Sequence, residues 1–205
     1  MKSEDKKINE VYNLTYDDKF SKLDLEARHL YLNTDVDECC ISDIVYSIIY
    51  YNMIDKGVPK EERKPIIIYI NSPGGSVVDG YGVIDAITTS ITPVYTVNLA
   101  QCASMGFLIF IAGHKRYSMP HAEFLMHDGS TAGWDSTAKM RDRMEFETVQ
   151  LEQMNKEFIM SRINIDDAKY NETYRVEWYF LPDEAKEIGA VDYIVGKDCL
   201  IEDIL

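Results

Sequence analysis

Basic charge is scarce in this chain. Lys and Arg number 21 against 35 Asp and Glu, a net charge of −14, with a pI near 4.6. That balance argues against nucleic acid and anionic membranes as main partners, since both are recognised by clustered cations. Long apolar runs are missing too. No stretch approaches the length of a transmembrane helix. The polar opening Met-Lys-Ser-Glu-Asp-Lys-Lys lacks the apolar core of a signal peptide. A cytoplasmic location is expected. Cysteine is sparse: Cys39, Cys40, Cys102 and Cys199 show no metal-ligand spacing with histidine. Buried free thiols in a reducing compartment are the simplest expectation. The Gly-x-Gly-x-x-Gly dinucleotide fingerprint is absent, as are internal repeats and low-complexity segments. No metal or cofactor is implied.

What remains is a globular composition. The chain has 205 residues, of which 46% are hydrophobic, enough for one domain with a sizeable core. Residues 1–27 are polar and charge-dense and read as an N-terminal arm, with a short helix around 17–27. A short strand is expected at 29–32, an amphipathic helix over 41–53 and a charged surface loop over 56–65. The β-branched run at 66–70 suits a strand buried on both faces of a parallel sheet. A helix over 77–90, a strand over 94–99, a buried helix from 107, and short strands at 116–119 and 123–126 follow. This alternation indicates an α/β fold with right-handed crossovers. A long helix over 136–162 carries more than one apolar edge, suited either to the core or to a partner subunit. Residues 163–177 are polar. A short helix over 181–189 and a strand over 190–195 complete the pattern.

Three features bear on chemistry. Ser104 stands between an apolar strand and a buried helix, flanked by Ala103 and Gly106. It is either a helix N-cap or a hydroxyl presented at a helix N-terminus, where free N–H groups favour developing negative charge. Gly74-Gly75 follows a buried strand, and side-chain-free backbone there can turn N–H groups towards a substrate oxygen; a plain helix-entry turn is the alternative. His127 sits where an apolar strand meets a glycine-containing loop, the edge of an α/β sheet where sites form. An imidazole can take a hydroxyl proton near neutral pH. His29, His114 and His121 occupy less suggestive positions.

At these residues the sequence resembles the ClpP family of serine peptidases. Tyr69-Ile-Asn-Ser-Pro-Gly-Gly75 is similar to that family's oxyanion segment, and Cys102-Ala-Ser-Met-Gly-Phe107 to its nucleophile segment. Ala112-Gly113 through Arg116, Pro120 and Met126-His127 is similar to its base segment. Glu184-Ala-Lys-Glu-Ile-Gly-Ala-Val-Asp192 is also family-like, and the similarity spans about residues 28–195. The resemblance implies a peptidase domain over 28–205, after the arm over 1–27, which it does not match well. It implies a ClpP/crotonase-like roll of β-β-α units with a protruding handle helix near 137–161. Two rings of seven subunits, stacked as a barrel, would enclose a chamber for unfolded polypeptide supplied by a hexameric Clp-class ATPase. Ser104 would be the nucleophile, His127 the general base, and the amides of Gly75 and Met105 the oxyanion hole.

One departure stands out. Where the family carries its third catalytic residue, an aspartate, this chain offers Asn171, Glu172 or Thr173. The sequence therefore also admits a catalytically impaired subunit that supports an active paralogue in mixed rings. A crotonase-like acyl-CoA enzyme shares the expected roll, but no CoA-binding feature supports it. A membrane-associated serine–lysine peptidase is disfavoured by His127.

Overall fold

The computed structural model describes residues 24–129, 135–173 and 175–204. Most of the expected arm, with Tyr12 and Tyr16, lies outside the described residues; residues 24–27 are helical. Strand β1 (His29–Leu32) leads to a π-helical turn (Ile41–Val45) that runs into helix α1 (Tyr46–Ile54). Strand β2 (Ile66–Ser72), helix α2 (Val77–Thr89), strand β3 (Val94–Ala103) and helix α3 (Met105–Ala112) follow. Strands β4 (Lys115–Ser118) and β5 (Glu123–Met126) come next. Helix α4 (Thr137–Glu145) continues through a π-helical segment (Phe146–Leu151) into α5 (Glu152–Arg162). Helix α6 (Asp167–Thr173), strand β6 (Trp178–Phe180), helix α7 (Pro182–Glu187) and strand β7 (Tyr193–Ile194) close the fold.

The sheet has seven strands in the order β1-β2-β3-β4-β7, with β5 paired to β3 and β6 paired to β5. All pairings are parallel except β5 with β6. This is the α/β class expected from the alternation of elements. The β2 run Ile66–Ile68 and Ile70 is wholly buried, as a continuous β-branched stretch requires when helices cover one face and further side chains the other. Helix α3 is buried at every position. It packs in the main core with Ile66, Ile68, Ile70, Val83, Ile84, Ile87 and Phe124. A second, smaller cluster gathers Ile67, Val97 and Tyr117 with Val195 and Ile204; Ile67 alternates along β2 with Ile66 and Ile68 of the main core, as the two-residue strand period demands.

Strand β3 runs four residues beyond the expected end because it serves two partners in succession. Residues 95–98 pair with β4, and 101–103 pair with β5. On its other side the β2 register shifts between Ile70 and Ser72, a bulge beside the candidate site. Two elements went unread: helix α6, within the stretch taken as polar, and strand β6, between that stretch and the expected helix over 181–189. The last strand is also shorter than expected, with Val195 making only an isolated bridge to Cys199. Of the four free thiols, Cys40 and Cys102 are buried, whereas Cys39 is exposed and Cys199 half-buried, so the expectation of uniformly buried thiols is corrected.

Buried polar groups tie the elements together. Arg28 donates from both terminal nitrogens to the Asp55 carboxylate, at 2.6 and 2.8 Å, and Thr92 Oγ1 donates to the same group at 2.7 Å. The Arg28 bonds hold the Asp55 carboxyl below its ordinary range, against the opposing effect of burial. The root of β1, the end of α1 and the approach to β3 are thereby joined.

Candidate active site

Strand β3 ends at Ala103 and α3 begins at Met105, so one residue makes the turn. Ser104 takes φ 53° and ψ −124°, a region that costs a side-chain-bearing residue roughly 1–3 kcal/mol. It occupies the N-cap position of α3, yet its side chain makes no capping bond. Its carbonyl instead accepts from the Phe107 and Leu108 amides, at 3.0 and 3.3 Å. The capping explanation for this serine therefore fails. The hydroxyl is half-buried at the positive end of a buried helix. A strained strand-to-helix turn is also the device that exposes the nucleophilic serines of α/β hydrolases.

The double glycine lies against this turn. Gly74 has φ +100°, and a Cβ there would come within 2.7 Å of Ser104 Cβ and 2.9 Å of the Met105 nitrogen. Only glycine allows that approach. Gly75, at φ +147°, bridges to Val36 in parallel fashion. Val36 donates to the Gly74 carbonyl at 2.8 Å, and Ser76 donates to the Val36 carbonyl at 2.7 Å. In such a parallel bridge the middle residue's own N–H points away from its partner. The Gly75 amide accordingly has no acceptor among the described residues. Met105 is the first helical residue of α3, so its N–H has no intrahelical acceptor either. Two unspent amides thus flank the Ser104 turn.

His127 reaches the same edge by a different strand. Ala103 pairs with Leu125, and the Ser104 amide donates to the Leu125 carbonyl at 2.9 Å. Ser104 and His127 therefore stand at the ends of neighbouring parallel strands, both running out on the same edge of the sheet. His127 is half-buried. No hydrogen bond joins its ring to Ser104 Oγ among the described residues, and such bonds often close only when substrate binds. The other histidines are placed elsewhere. His114 Nδ1 accepts from the Val94 amide at 3.0 Å, His29 packs edge-on to Tyr69, and His121 is exposed. Cys102, two residues before Ser104, is no rival nucleophile. It is completely buried, which pushes its thiol well above the ordinary range.

Among the described residues no hydrogen bond joins His127 to any of the three sequence candidates for the third position. Thr173 is buried, and its hydroxyl donates within α6 to the Lys169 carbonyl at 2.8 Å. Asn171 and Glu172 are exposed, and no hydrogen bond from either to His127 occurs. Sequence reading also missed Gly74 as the glycine that touches Ser104, although its place in a Gly-Gly pair was the available signal. It missed Arg162 as well. That guanidinium donates to the carbonyls of Ile111, Ala112 and Gly113 at 2.7, 2.9 and 2.7 Å. It caps the far end of the helix that carries Ser104 at its start. No local sequence signal links residues so far apart. Among the described residues no group of three His, Cys, Asp or Glu could hold a metal, and no helix is long and apolar enough to cross a membrane.

Comparison with known proteins fits this geometry. The family model described as Clp protease matches residues 13–198. A relative from Bacteroides thetaiotaomicron, named ATP-dependent Clp protease proteolytic subunit, is 30% identical over 90% of this chain and 81% of its own length. Proteins of the same name from Bacteroides fragilis and Staurastrum punctulatum are each 28% identical, over 90% and 91% of this chain and 86% and 87% of their own lengths. A family match across nearly the whole chain, centred on a strained serine, a double glycine and a histidine at one sheet edge, means that the chain belongs to the Clp protease family.

Proposed function

We propose that this chain is the proteolytic subunit of an ATP-dependent Clp protease, a serine endopeptidase that hydrolyses peptide bonds of unfolded polypeptides. The observation that carries the reading is the uncommitted hydroxyl of Ser104, held in a strained turn at the start of a buried helix. Ser104 Oγ attacks the scissile carbonyl while His127 takes its proton. The carbonyl oxygen, now negative, is met by the Gly75 and Met105 amides. His127 then returns the proton to the leaving amine, and water resolves the acyl-enzyme by the same steps in reverse roles. Each oxyanion donor of this kind is worth roughly 10²–10³ in turnover. Residues 28–205 form the peptidase domain and residues 1–27 an arm. The working form is a barrel of two seven-subunit rings in the cytoplasm, fed by a hexameric Clp-class ATPase, with no nucleic acid or membrane partner. A serine-reactive fluorophosphonate tests the assignment: the purified chain is labelled and Ser104→Ala is not. Labelling that persists in the variant overturns it.

A second reading is favoured by one observation. Thr173 spends its hydroxyl inside α6, and neither Asn171 nor Glu172 bonds His127. An impaired subunit that completes mixed rings with an active paralogue would look the same. It predicts a chain silent alone and active on mixing, and full peptidase activity from the purified chain excludes it.

A further inference from the structure

The missing aspartate leaves His127 without an evident orienting group, and the sheet itself offers one. Strand β5 lies between two neighbours, with β3 on one side and β6 on the other. The β5–β6 register pairs Phe124 with Phe180, Leu125 with Tyr179 and Met126 with Trp178. One further step of this antiparallel ladder sets His127 opposite Glu177. The three strand ends then carry Ser104, His127 and Glu177 side by side, in the order nucleophile, base, carboxylate.

The faces agree. Phe124, Met126, Trp178 and Phe180 are buried, while Leu125 is half-buried and Tyr179 exposed. Alternation therefore puts His127 and Glu177 with Leu125 and Tyr179 on the outer face. For Glu177 a hydrogen bond shows the shared face, because the Tyr179 hydroxyl donates to Glu177 Oε2 at 3.1 Å. That bond, with the nearby charge of Glu123, pushes the Tyr179 phenol up. Glu177 Oε1 accepts no bond among the described residues. Side chains directly opposite on antiparallel strands have Cβ atoms about 4.5–5.5 Å apart, which a glutamate stem spans to reach an imidazole nitrogen.

We propose that Glu177 is the positioning carboxylate for His127, in place of the aspartate that this chain lacks. The proposal rests on the serine-peptidase reading and deepens it. Tyr179 holds one oxygen of the carboxylate, leaving the other to accept from the His127 ring and fix the tautomer that takes the Ser104 proton. Neither Asn171, which is neutral, nor Glu172 is needed. Glu123 belongs to the same face but lies at the opposite end of β5, four residues from His127, paired to Gln101 at 2.8 Å.

The test is steady-state hydrolysis of a short peptide across pH by the assembled full chain and its variants. Glu177→Gln keeps the bond from Tyr179 through its amide oxygen and removes only the charge. It is expected to lower kcat by about 10²–10⁴-fold with KM little changed, by analogy with aspartate-to-asparagine changes in serine proteases. Its kcat profile across pH is expected to change shape, whereas a purely structural loss scales the profile without moving it. Glu177→Asp is expected to recover part of the loss. Glu172→Gln, Asn171→Ala and Asp128→Asn are expected to keep the wild-type profile. Glu177→Gln with wild-type kcat and pH profile overturns the proposal, as does transfer of the loss to one of those three variants. A wild-type chain that shows no Ser104-dependent labelling or turnover overturns the peptidase reading, and this proposal with it.

Discussion

At the residue scale, the account turns on how closely Gly74 and Ser104 approach. A methyl group at 74 would need φ +100° and would stand 2.8 Å from the Ala103 carbonyl oxygen and 2.9 Å from the Met105 nitrogen. Backbone atoms cannot retreat as a flexible side chain can. Gly74→Ala should therefore push the Met105 amide away from the oxyanion and lower kcat by about 10²-fold, the scale of losing one donor, with far-UV circular dichroism unchanged. Wild-type turnover in this variant contradicts the placement of the oxyanion hole. Ser104 itself was legible in the sequence, since one hydroxyl between two apolar runs invites attention. Its positive φ was not, because no local pattern separates a capping serine from a strained one. Nor could the sequence tell which glycine of the pair meets Ser104, as that depends on how β2 and β3 are offset by the bulge between Ile70 and Ser72.

At the scale of elements, α3 is the axis of the site. It is buried at every position, so its last carbonyls have no water to turn to. Arg162, at the end of α5, supplies donors to three of them. Arg116 Nη1 in turn donates to the Arg162 carbonyl at 3.0 Å, and Arg116 pairs with Asp192 at 2.7 Å. Arg162→Met retains some apolar stem but strands those carbonyls. A loss of about 2–3 kcal/mol in urea unfolding is expected, since each unsatisfied buried acceptor costs about 1–3 kcal/mol. A variant as stable as the wild type shows that the cap is dispensable. The helices and strands with strong apolar periodicity were readable: β2, α2, α3 and the long α4–α5 run. Helix α6 was not, because Tyr170 and Thr173 are the only residues it buries. Strand β6 was not, because three residues carry too little pattern, and its identity as a strand comes from pairing with β5. Glu177 precedes that unread strand, so its position opposite His127 was beyond reach of the sequence.

At the scale of the whole molecule, the first part of the long helical run, α4 and the π-helical segment after it, stands apart from the core. Helix α4 buries no residue and α5 buries only Ile159. Phe146 and Val149 are 46% and 62% exposed, although both are large and apolar. Paired surfaces of this kind need covering in an assembly. Val149→Glu should leave the subunit fold intact, because the side chain touches little within it, but should reduce the mass of the assembly in solution and its peptidase activity together. Full-size particles from this variant show that the run plays no part in association. The alternation of strands and helices announced the α/β class. The strand order, with β5 and β6 branching from the end of β3, was settled by long-range pairing that no single segment encodes.

The most direct test of the central claim is peptidase activity resolved by particle mass. Purified wild-type chain and Ser104→Ala are separated by size with light scattering, and each fraction is assayed with a short fluorogenic peptide. The account predicts that turnover elutes with a large ring assembly of the wild type and vanishes in an equally large Ser104→Ala assembly. Equal turnover in both, or a wild-type ring that cleaves nothing, contradicts it.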